Sequence, residues 1–175
     1  TDGGCAMLLA SAERAKELTD KPVWVLGMGR SIETFYIGER DLAVSPSTAQ
    51  AAERAYSMAG IKNPRAEVDL AEISALFSHQ EPLLVEAMGL LEEGKAEEAY
   101  RSGDTSVSGK LPLNPSGGPL GGHPLSASGL IRAAEAVRQL RGEAGDNQVK
   151  NASMALVHGQ DGVCAQQSAV VILGT

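Results

Sequence analysis

The stretch NPSGGPLGGHPLSASG, residues 114–129, places a single histidine between a glycine-rich loop and the start of an amphipathic helix. Two pairs of glycines precede His123, and Pro124 follows it. Glycine lets the backbone adopt positive φ and approach a ligand closely, and proline is favoured in the first turn of a helix. The pattern therefore predicts a ligand-binding loop that ends with His123 at or just before a helix N-cap.

Such a position has chemical consequences for His123. The unpaired N–H groups of a helix N-terminus carry partial positive charge and disfavour a protonated imidazole. A neutral histidine beside free N–H groups suits proton transfer and the stabilisation of an enolate or oxyanion. A polar cap on a glycine-rich turn is the structural alternative. A phosphate-binding P-loop is excluded because no Lys-Ser/Thr pair follows the glycines.

On both sides of this loop, apolar runs alternate with helical patterns. The sequence predicts strands over 4–11, 22–30, 68–76 (strand plus turn), 151–159 and 168–174, and helices over 12–18, 45–60, 78–94 and 124–145. A Gly/Ser/Pro-rich loop is expected over 102–123. The order of elements predicts an α/β layered domain whose last two strands form an antiparallel pair.

Composition excludes several classes of protein. A chain of 175 residues is long enough for one domain. Its net charge of −7, without a basic run, argues against a nucleic-acid partner. Two cysteines, Cys5 and Cys164, support neither a disulfide framework nor a metal site, which suggests a reducing cytoplasm. No run approaches the roughly 18 apolar residues that a membrane span requires.

The loop around His123 resembles the histidine motif of the thiolase superfamily, in which an Asn and two glycines precede Gly-His-Pro and a helix of small residues. TDGGCAMLLAS (1–11) is similar to the strand that ends the N-terminal thiolase half. VDLAEISALFSHQE (68–81) lies where thiolases carry an Asn-Glu-Ala-Phe segment, and LVHGQDGVCAQQSAVVIL (156–173) corresponds to the last active-site loop and strand. VRQLRGEAG (137–145) is similar to the lipid-transfer-type and archaeal branch.

The resemblance implies a layered α-β-α domain, with a mixed sheet of about five strands and helices on both faces. Residues 1–20 would be the last strand and helix of the N-terminal half, and residues 21–175 the C-terminal domain. In thiolases the active site lies between two such halves, and a reactive cysteine on the N-terminal half takes the acyl group. His123 is expected to activate that cysteine and to help hold the thioester oxygen.

The resemblance also implies a second catalytic group. His158 matches the histidine with which the lipid-transfer branch often replaces a catalytic cysteine, and it would act as the base on the attacking acyl-CoA. Its structural alternative is a hydrogen-bonded histidine at the end of a strand. Cys164 lies six residues later and is interpreted as a small buried apolar group rather than as the catalytic cysteine.

A third position departs from the family pattern. Ser74 stands where thiolases carry an Asn or His that positions a water for an enolate oxygen, and its hydroxyl can still donate one hydrogen bond. His79 lies nearby in sequence and is either a substitute for that group or an exposed residue at a helix start. Asn114 and Gly122 complete the candidate substrate-positioning residues, with Asn114 expected to order the loop rather than to react.

The resemblance therefore implies an acyl-CoA C-acyltransferase half that cleaves or condenses 3-ketoacyl-CoA. A coenzyme A thioester would be the substrate, with no metal and no covalently bound cofactor. The expected partner is an N-terminal half that carries the nucleophilic cysteine, in a homo- or hetero-oligomer, and an OB-fold/zinc-ribbon protein is a further candidate partner. Two alternatives remain: a non-catalytic thiolase-fold subunit, or aldolase-type retro-cleavage of a specialised acyl-CoA.

Overall fold

The computed structural model describes residues 2–175, so that Thr1, the first residue of the predicted N-terminal segment, lies outside the described residues. The strands are β1 Trp24–Ile32, β2 Leu70–Ile73, β3 Met154–Asp161 and β4 Gln167–Gly174. The helices are α1 Ala12–Leu18, α2 Pro46–Ala59, α3 Pro64–Glu67, α4 Gln80–Ala87, α5 Ala96–Ser102, α6 Gly118–Gly121 and α7 Ser128–Arg141. Short 3₁₀ turns cover Ile37–Glu39, Leu125–Ala127 and Gly145–Asn147.

The four strands form one mixed sheet in the order β1-β4-β3-β2. β2 and β3 run parallel, with Ile73 opposite His158. β3 and β4 form the predicted antiparallel pair, and β1 pairs with the other side of β4, also antiparallel. The mixed α/β architecture is therefore confirmed, with four strands in place of about five.

The predicted strand over 4–11 is wrong, because this segment pairs with no strand of the described sheet. Its apolar side chains were expected to be buried, yet Leu8 is 83% exposed and Leu9 is 78% exposed. The segment instead follows the outer side of α7, where the Cys5 thiol lies 3.7 Å from the Leu130 carbonyl. An extended segment becomes a strand only when a neighbouring strand accepts its backbone hydrogen bonds.

A single parallel bridge joins Leu113 to Ala71 beside β2, at the edge where a fifth strand would pair. The Ala71 amide donates to the Pro112 carbonyl at 3.0 Å, and the Asn114 amide donates to the Ala71 carbonyl at 2.8 Å. Pro112 has no N–H to extend the ladder, and Asn114 turns away with φ of 46°. The pairing therefore stops after one residue.

Helices cover both faces of the sheet, as predicted. α2 packs on one face, where Ala51 and Ala55 meet Ile172 in a buried apolar cluster. α7 packs on the other face, where Ala136 meets Val157 in a second cluster. The segment between α4 and α7, which contains α5 and α6, thus connects helices that pack on a sheet with a core on each face.

Local end signals place α2 correctly but misplace two other helices. Pro46 begins α2 and Gly60 ends it with φ of 76°, as predicted. The helix predicted over 78–94 ends at Ala87, and Gly89 follows it with φ of 68°. The helix predicted from Pro124 begins only at Ser128, because a 3₁₀ turn precedes it. α5, at residues 96–102, was not predicted.

None of the helices in residues 2–175 is long and apolar enough to cross a bilayer.

Candidate active site

The glycine-rich loop is anchored to the core by a buried ion pair. Glu72 on β2 and Arg132 on α7 lie 3.1 Å apart, with both side chains almost entirely shielded from solvent. Ser116, in the loop, donates to Glu72 from its hydroxyl at 2.8 Å and from its amide at 3.1 Å. Arg132 also donates to the Ser116 hydroxyl at 2.8 Å. These contacts therefore fix Ser116, near the start of the glycine-rich loop, relative to β2 and α7.

Burial raises the pKa of Glu72, and the hydrogen bonds from Ser116 and the charge of Arg132 oppose that rise. Sequence reasoning missed these three residues. Two features could have indicated this ion pair. Glu72 lies inside the apolar run LAEI, and Arg132 lies on the buried side of α7, four residues after Ser128. A charged side chain on a core face usually indicates a buried partner.

Asn114 ties the start of the loop to the end of β2. Its side-chain oxygen accepts from the Ile73 amide at 2.7 Å, and its side-chain amide donates to Glu81 on α4. Its carbonyl accepts from the Gly117 amide at 2.8 Å, which closes the turn. Asn114 thus orders the loop through its side chain and its left-handed backbone. A direct substrate contact stays a prediction.

His123 does not cap a helix. It lies between α6 and the 3₁₀ turn, five residues before α7 begins, so the predicted N-cap position is wrong. The reason is that Leu125 adopts a positive φ of 36°, which breaks the helix expected from Pro124. The half-buried His123 ring is instead held by Ser128, the first residue of α7, with 3.0 Å between Nδ1 and the hydroxyl. Gly122 next to it is extended, with open space around its Cα.

Ser74, the first residue after β2, meets His158 in the middle of β3. The Ser74 amide donates to the His158 carbonyl at 3.1 Å, and the Ser74 carbonyl accepts from the Gln160 side chain. Both Ser74 and His158 are buried. Within residues 2–175, neither the Ser74 hydroxyl nor His158 Nδ1 has a hydrogen-bond partner. Two polar atoms are thus shielded from solvent, one on the predicted substrate-positioning residue Ser74 and one on the predicted catalytic residue His158.

His158 lies inside β3 rather than at its end, and it is fully buried on the face that α2 covers. Burial lowers the pKa of His158 to about 4, so its imidazole is neutral near neutral pH. Its Nε2 lies 3.5 Å from the Ser168 hydroxyl. Loss of hydration makes the charged form of the ring costly, and within residues 2–175 no carboxylate forms a hydrogen bond with it.

His79 and Cys164 line a cavity of about 500 Å³ beside α4, together with Leu42, Phe77 and Gln160. His79 is exposed and stacks on Phe77, with 5.9 Å between ring centroids. Cys164 is exposed, so its interpretation as a buried apolar group is wrong. It lies in the β3–β4 turn with φ of 52°, where Arg40 binds its carbonyl at 2.8 Å and turns the residue outward.

The structure brings only some of the predicted site residues together. Asn114 bonds Ile73, the neighbour of Ser74 and the register partner of His158, so these three predicted residues share one corner of the sheet. The glycine-rich loop connects His123 to this corner, but the His123 ring contacts Ser128 of α7, on the face of the sheet opposite to α2. His79 lines the cavity beside α4, which none of these three residues lines, and within residues 2–175 it forms no hydrogen bond with them. The catalytic roles of all six predicted residues stay predictions.

Comparison with known proteins gives a consistent family match. Residues 29–175 match the family described as Thiolase C-terminal domain-like. The chain is 40% identical over 160 residues to an acetyl-CoA acetyltransferase of Methanothermobacter thermautotrophicus, covering 90% of this chain and 41% of that protein. It is 37% identical over 166 residues to sterol carrier protein 2 of Oryctolagus cuniculus, covering 90% of this chain and 30% of that protein. It is 31% identical over 166 residues to the benzoylsuccinyl-CoA thiolase subunit BbsB of Thauera aromatica, covering 93% and 43%.

Solved structures agree at the level of the fold. The structure titled Ltp2-ChsH2(DUF35) aldolase superposes with a TM-score of 0.80 at 25% identity, covering 94% of this chain and 42% of that one. A monomeric SCP2-thiolase like protein from Mycobacterium smegmatis gives a TM-score of 0.62 at 23% identity, covering 94% and 32%. The chain thus spans 30–43% of the length of the curated relatives named above.

Proposed function

Because the chain belongs to the thiolase superfamily and matches its C-terminal domain over most of its length, we propose that it is the C-terminal half of a thiolase-type acyl-CoA C-acyltransferase. The reaction is thiolytic cleavage, or the reverse Claisen condensation, of a 3-ketoacyl-CoA. Its nucleophile is a cysteine on an N-terminal thiolase half.

The observation that carries this proposal is the anchoring of the His123 loop. Ser116 binds both oxygens of buried Glu72, and Arg132 closes the ion pair from α7. His123 is then held against Ser128 at the start of that same helix. A loop with so many glycines is costly to order, and a buried ion pair at its base is the kind of support that a positioned acid/base group requires.

His123 would take the proton from the cysteine thiol as that cysteine attacks the keto carbon. Cleavage of the carbon–carbon bond leaves an acyl group on the cysteine and an acetyl-CoA enolate, which takes the proton held by His123. The thiol of a second coenzyme A then gives its proton to His123 as it attacks the acyl-cysteine, and His123 passes that proton to the departing cysteine thiolate. His158 and Ser74 would act on the oxygen that carries the developing charge.

The cavity beside α4 supports an acyl-CoA substrate. Leu42, Leu76 and Phe77 form an apolar wall, whereas His79 and Gln160 supply polar groups at its edge. A mostly apolar cleft with a few polar groups is typical of a small-molecule site. The proposal includes a complex with the N-terminal half, a cytoplasmic location and, as a further partner, an OB-fold/zinc-ribbon protein.

Aldolase-type retro-cleavage of an acyl-CoA is the second candidate. Ser74 replaces the Asn or His that the thiolase pattern carries, and the aldolase superposes with a TM-score of 0.80. A serine reaches a shorter distance than either side chain, which leaves space for a bulkier substrate. Such an enzyme would release a ketone or an aldehyde without consuming coenzyme A.

The test is the rate of coenzyme A-dependent cleavage of acetoacetyl-CoA by the chain in complex with its N-terminal half. His123→Ala should reduce kcat by about 1,000-fold, the usual contribution of a general acid/base. Lys62→Ala, an exposed change elsewhere, is the control and should leave the rate unchanged. An unchanged rate in His123→Ala would overturn the proposal, and an inactive complete complex would favour a non-catalytic subunit.

A further inference from the structure

We propose that three buried hydroxyl groups, on Ser45, Thr48 and Ser168, hold His158 in the tautomer that carries its proton on Nδ1. His158 then donates a hydrogen bond to an oxygen of the bound thioester, and it does not act as the base. The identity of that oxygen rests on the proposed function. The tautomer follows from the contacts of this chain alone.

The hydroxyl groups form a continuous path from the start of α2 to the sheet. The Ser45 hydroxyl donates to Thr48 Oγ1 at 2.8 Å, one turn further along the chain. Thr48 Oγ1 lies 2.8 Å from the Ser168 hydroxyl on β4. The Ser168 hydroxyl lies 3.5 Å from Nε2 of His158 on β3. All four residues are buried, so solvent does not compete for these bonds.

The donor and acceptor in each hydrogen bond of this path follow from the requirement that every buried hydroxyl proton has an acceptor. A serine or threonine hydroxyl has one proton to donate, and a buried proton without an acceptor costs about 1–3 kcal/mol. The Thr48 hydroxyl accepts from Ser45, so its own proton goes to the Ser168 hydroxyl, which lies 2.8 Å away. Ser168 therefore directs its proton to His158 Nε2. A nitrogen that accepts a hydrogen bond in a neutral imidazole leaves the proton on the other nitrogen.

The remaining N–H, on Nδ1 of His158, is the group that would bind the ligand oxygen, because no atom of the described chain accepts its proton. Gln160 lies two residues further along β3 on the same face, and its side chain lines the cavity of about 500 Å³. Ser45, at the other end of the hydroxyl path, lines the same cavity. The fully buried His158 ring does not itself line the cavity, but residues at both ends of the network do.

The same geometry argues against His158 as a base. To take a proton at Nδ1, the ring would first have to move its own proton to Nε2. The Ser168 hydroxyl would then have to turn away from Nε2, and the Thr48 hydroxyl would have to turn away from Ser168. Two buried hydrogen bonds would be rearranged for each turnover. A fixed donor needs no such rearrangement, which is how preorganised groups stabilise a developing oxyanion.

The decisive measurement is the tautomer of His158, read from the ¹⁵N chemical shifts of its two ring nitrogens in the uniformly labelled chain near pH 7. Nδ1 should show the shift of a protonated nitrogen and Nε2 that of an unprotonated one. Ser168→Ala should move the population toward the Nε2-protonated form, since Nε2 loses the donor it accepts from. Ser168→Thr should restore the original shifts, and Ser57→Ala, on the outer side of α2, is the control.

A wild-type spectrum with the proton on Nε2 would overturn the inference and leave the proposed function standing. Unchanged His158 shifts in Ser168→Ala would equally overturn the role of the hydroxyl path. If Ser168→Ala does not fold, Thr48→Val supplies the same test, because it removes the proton that reaches Ser168. An inactive complete complex with Nδ1 protonated would contradict the proposed function and leave the tautomer intact.

Discussion

Two buried ionisable side chains on neighbouring strands respond to burial in opposite ways. Glu72 is paired with Arg132, and burial still raises its pKa. The His158 ring has the Ser168 hydroxyl as its hydrogen-bond partner, and burial lowers the pKa of His158 to about 4. In each case burial shifts the pKa toward the neutral form because hydration of the charge is lost. The two groups therefore affect the pH dependence of stability with opposite sign.

For His158 the sign follows from comparing the folded and unfolded states. The pKa is 6.5 for an unperturbed histidine and about 4 for His158 in the folded chain, so between these values the unfolded chain binds more protons. The free energy of unfolding should therefore fall as the pH is lowered from 6.5 toward 4. At 1.36 kcal/mol per unit, the loss from this residue is about 3 kcal/mol.

Urea unfolding of wild type and His158→Gln, near neutral pH and near pH 4, tests this value. The variant lacks the titrating ring, so its stability should fall less than that of wild type over the same interval. The comparison between the two proteins cancels the contribution of Glu72, which is present in both. Parallel pH curves for the two proteins would contradict the prediction.

At the scale of elements, the contact between β1 and α2 depends on two glycines. A Cβ on Gly29 would lie 2.0 Å from the Ala51 carbonyl oxygen, and a Cβ on Gly27 would lie 2.2 Å from the Ala55 carbonyl oxygen. The helix backbone thus rests directly on the strand. This close approach also holds Thr48, on the same helix, within reach of Ser168.

Gly29→Ala should lower the free energy of unfolding by about 3 kcal/mol, because either the strand or the helix must move to admit the methyl group. Chemical denaturation measures the change. Gly4→Ala is the matched control: a Cβ there meets nothing within 4 Å, and the expected change is within about 0.5 kcal/mol. Equal effects of the two substitutions would show that α2 does not pack on β1 as described.

At the scale of the whole molecule, apolar side chains remain on the surface in groups. A groove of about 580 Å³ between the N-terminal segment and β1 is lined by Leu8, Leu9, Leu18 and Val25. Phe35, Leu120 and Leu125 are also exposed. Contiguous exposed apolar surface usually marks a contact with another protein. The proposed partner for this surface is the N-terminal thiolase half.

We therefore expect the chain alone to self-associate as its concentration rises, measured as the weight-average mass in analytical ultracentrifugation. Replacing Leu8 and Leu9 together by serine should shift self-association to roughly tenfold higher concentration, equivalent to about 1.4 kcal/mol. Met58→Ser removes an exposed apolar side chain outside the groove and should not alter the mass. A chain that stays monomeric at every concentration would contradict this expectation.

Local sequence signals predicted α2 well because residues at its own two ends determine where it begins and ends. Pro46 and Gly60 act on their own backbone, whatever surrounds them. The same reasoning misplaced α7, because the positive φ of Leu125 belongs to a loop whose conformation is held by contacts with residues distant in sequence. Ser116 in that loop is bonded to Glu72, 44 residues earlier. No pattern within the loop contains that information.

The sequence by itself determined the family, the alternation of helices and strands, and the identity of the loop that carries His123, since these depend on local composition and on motif order. Only the tertiary structure decided what surrounds each site residue. It buried His158 within hydrogen-bond distance of Ser168, and it placed Ser168 beside Thr48, 120 residues away in the chain. It also left 4–11 without a strand partner. Burial and proton direction depend on contacts between distant residues, and such contacts exist only once the sheet and its helices have packed together.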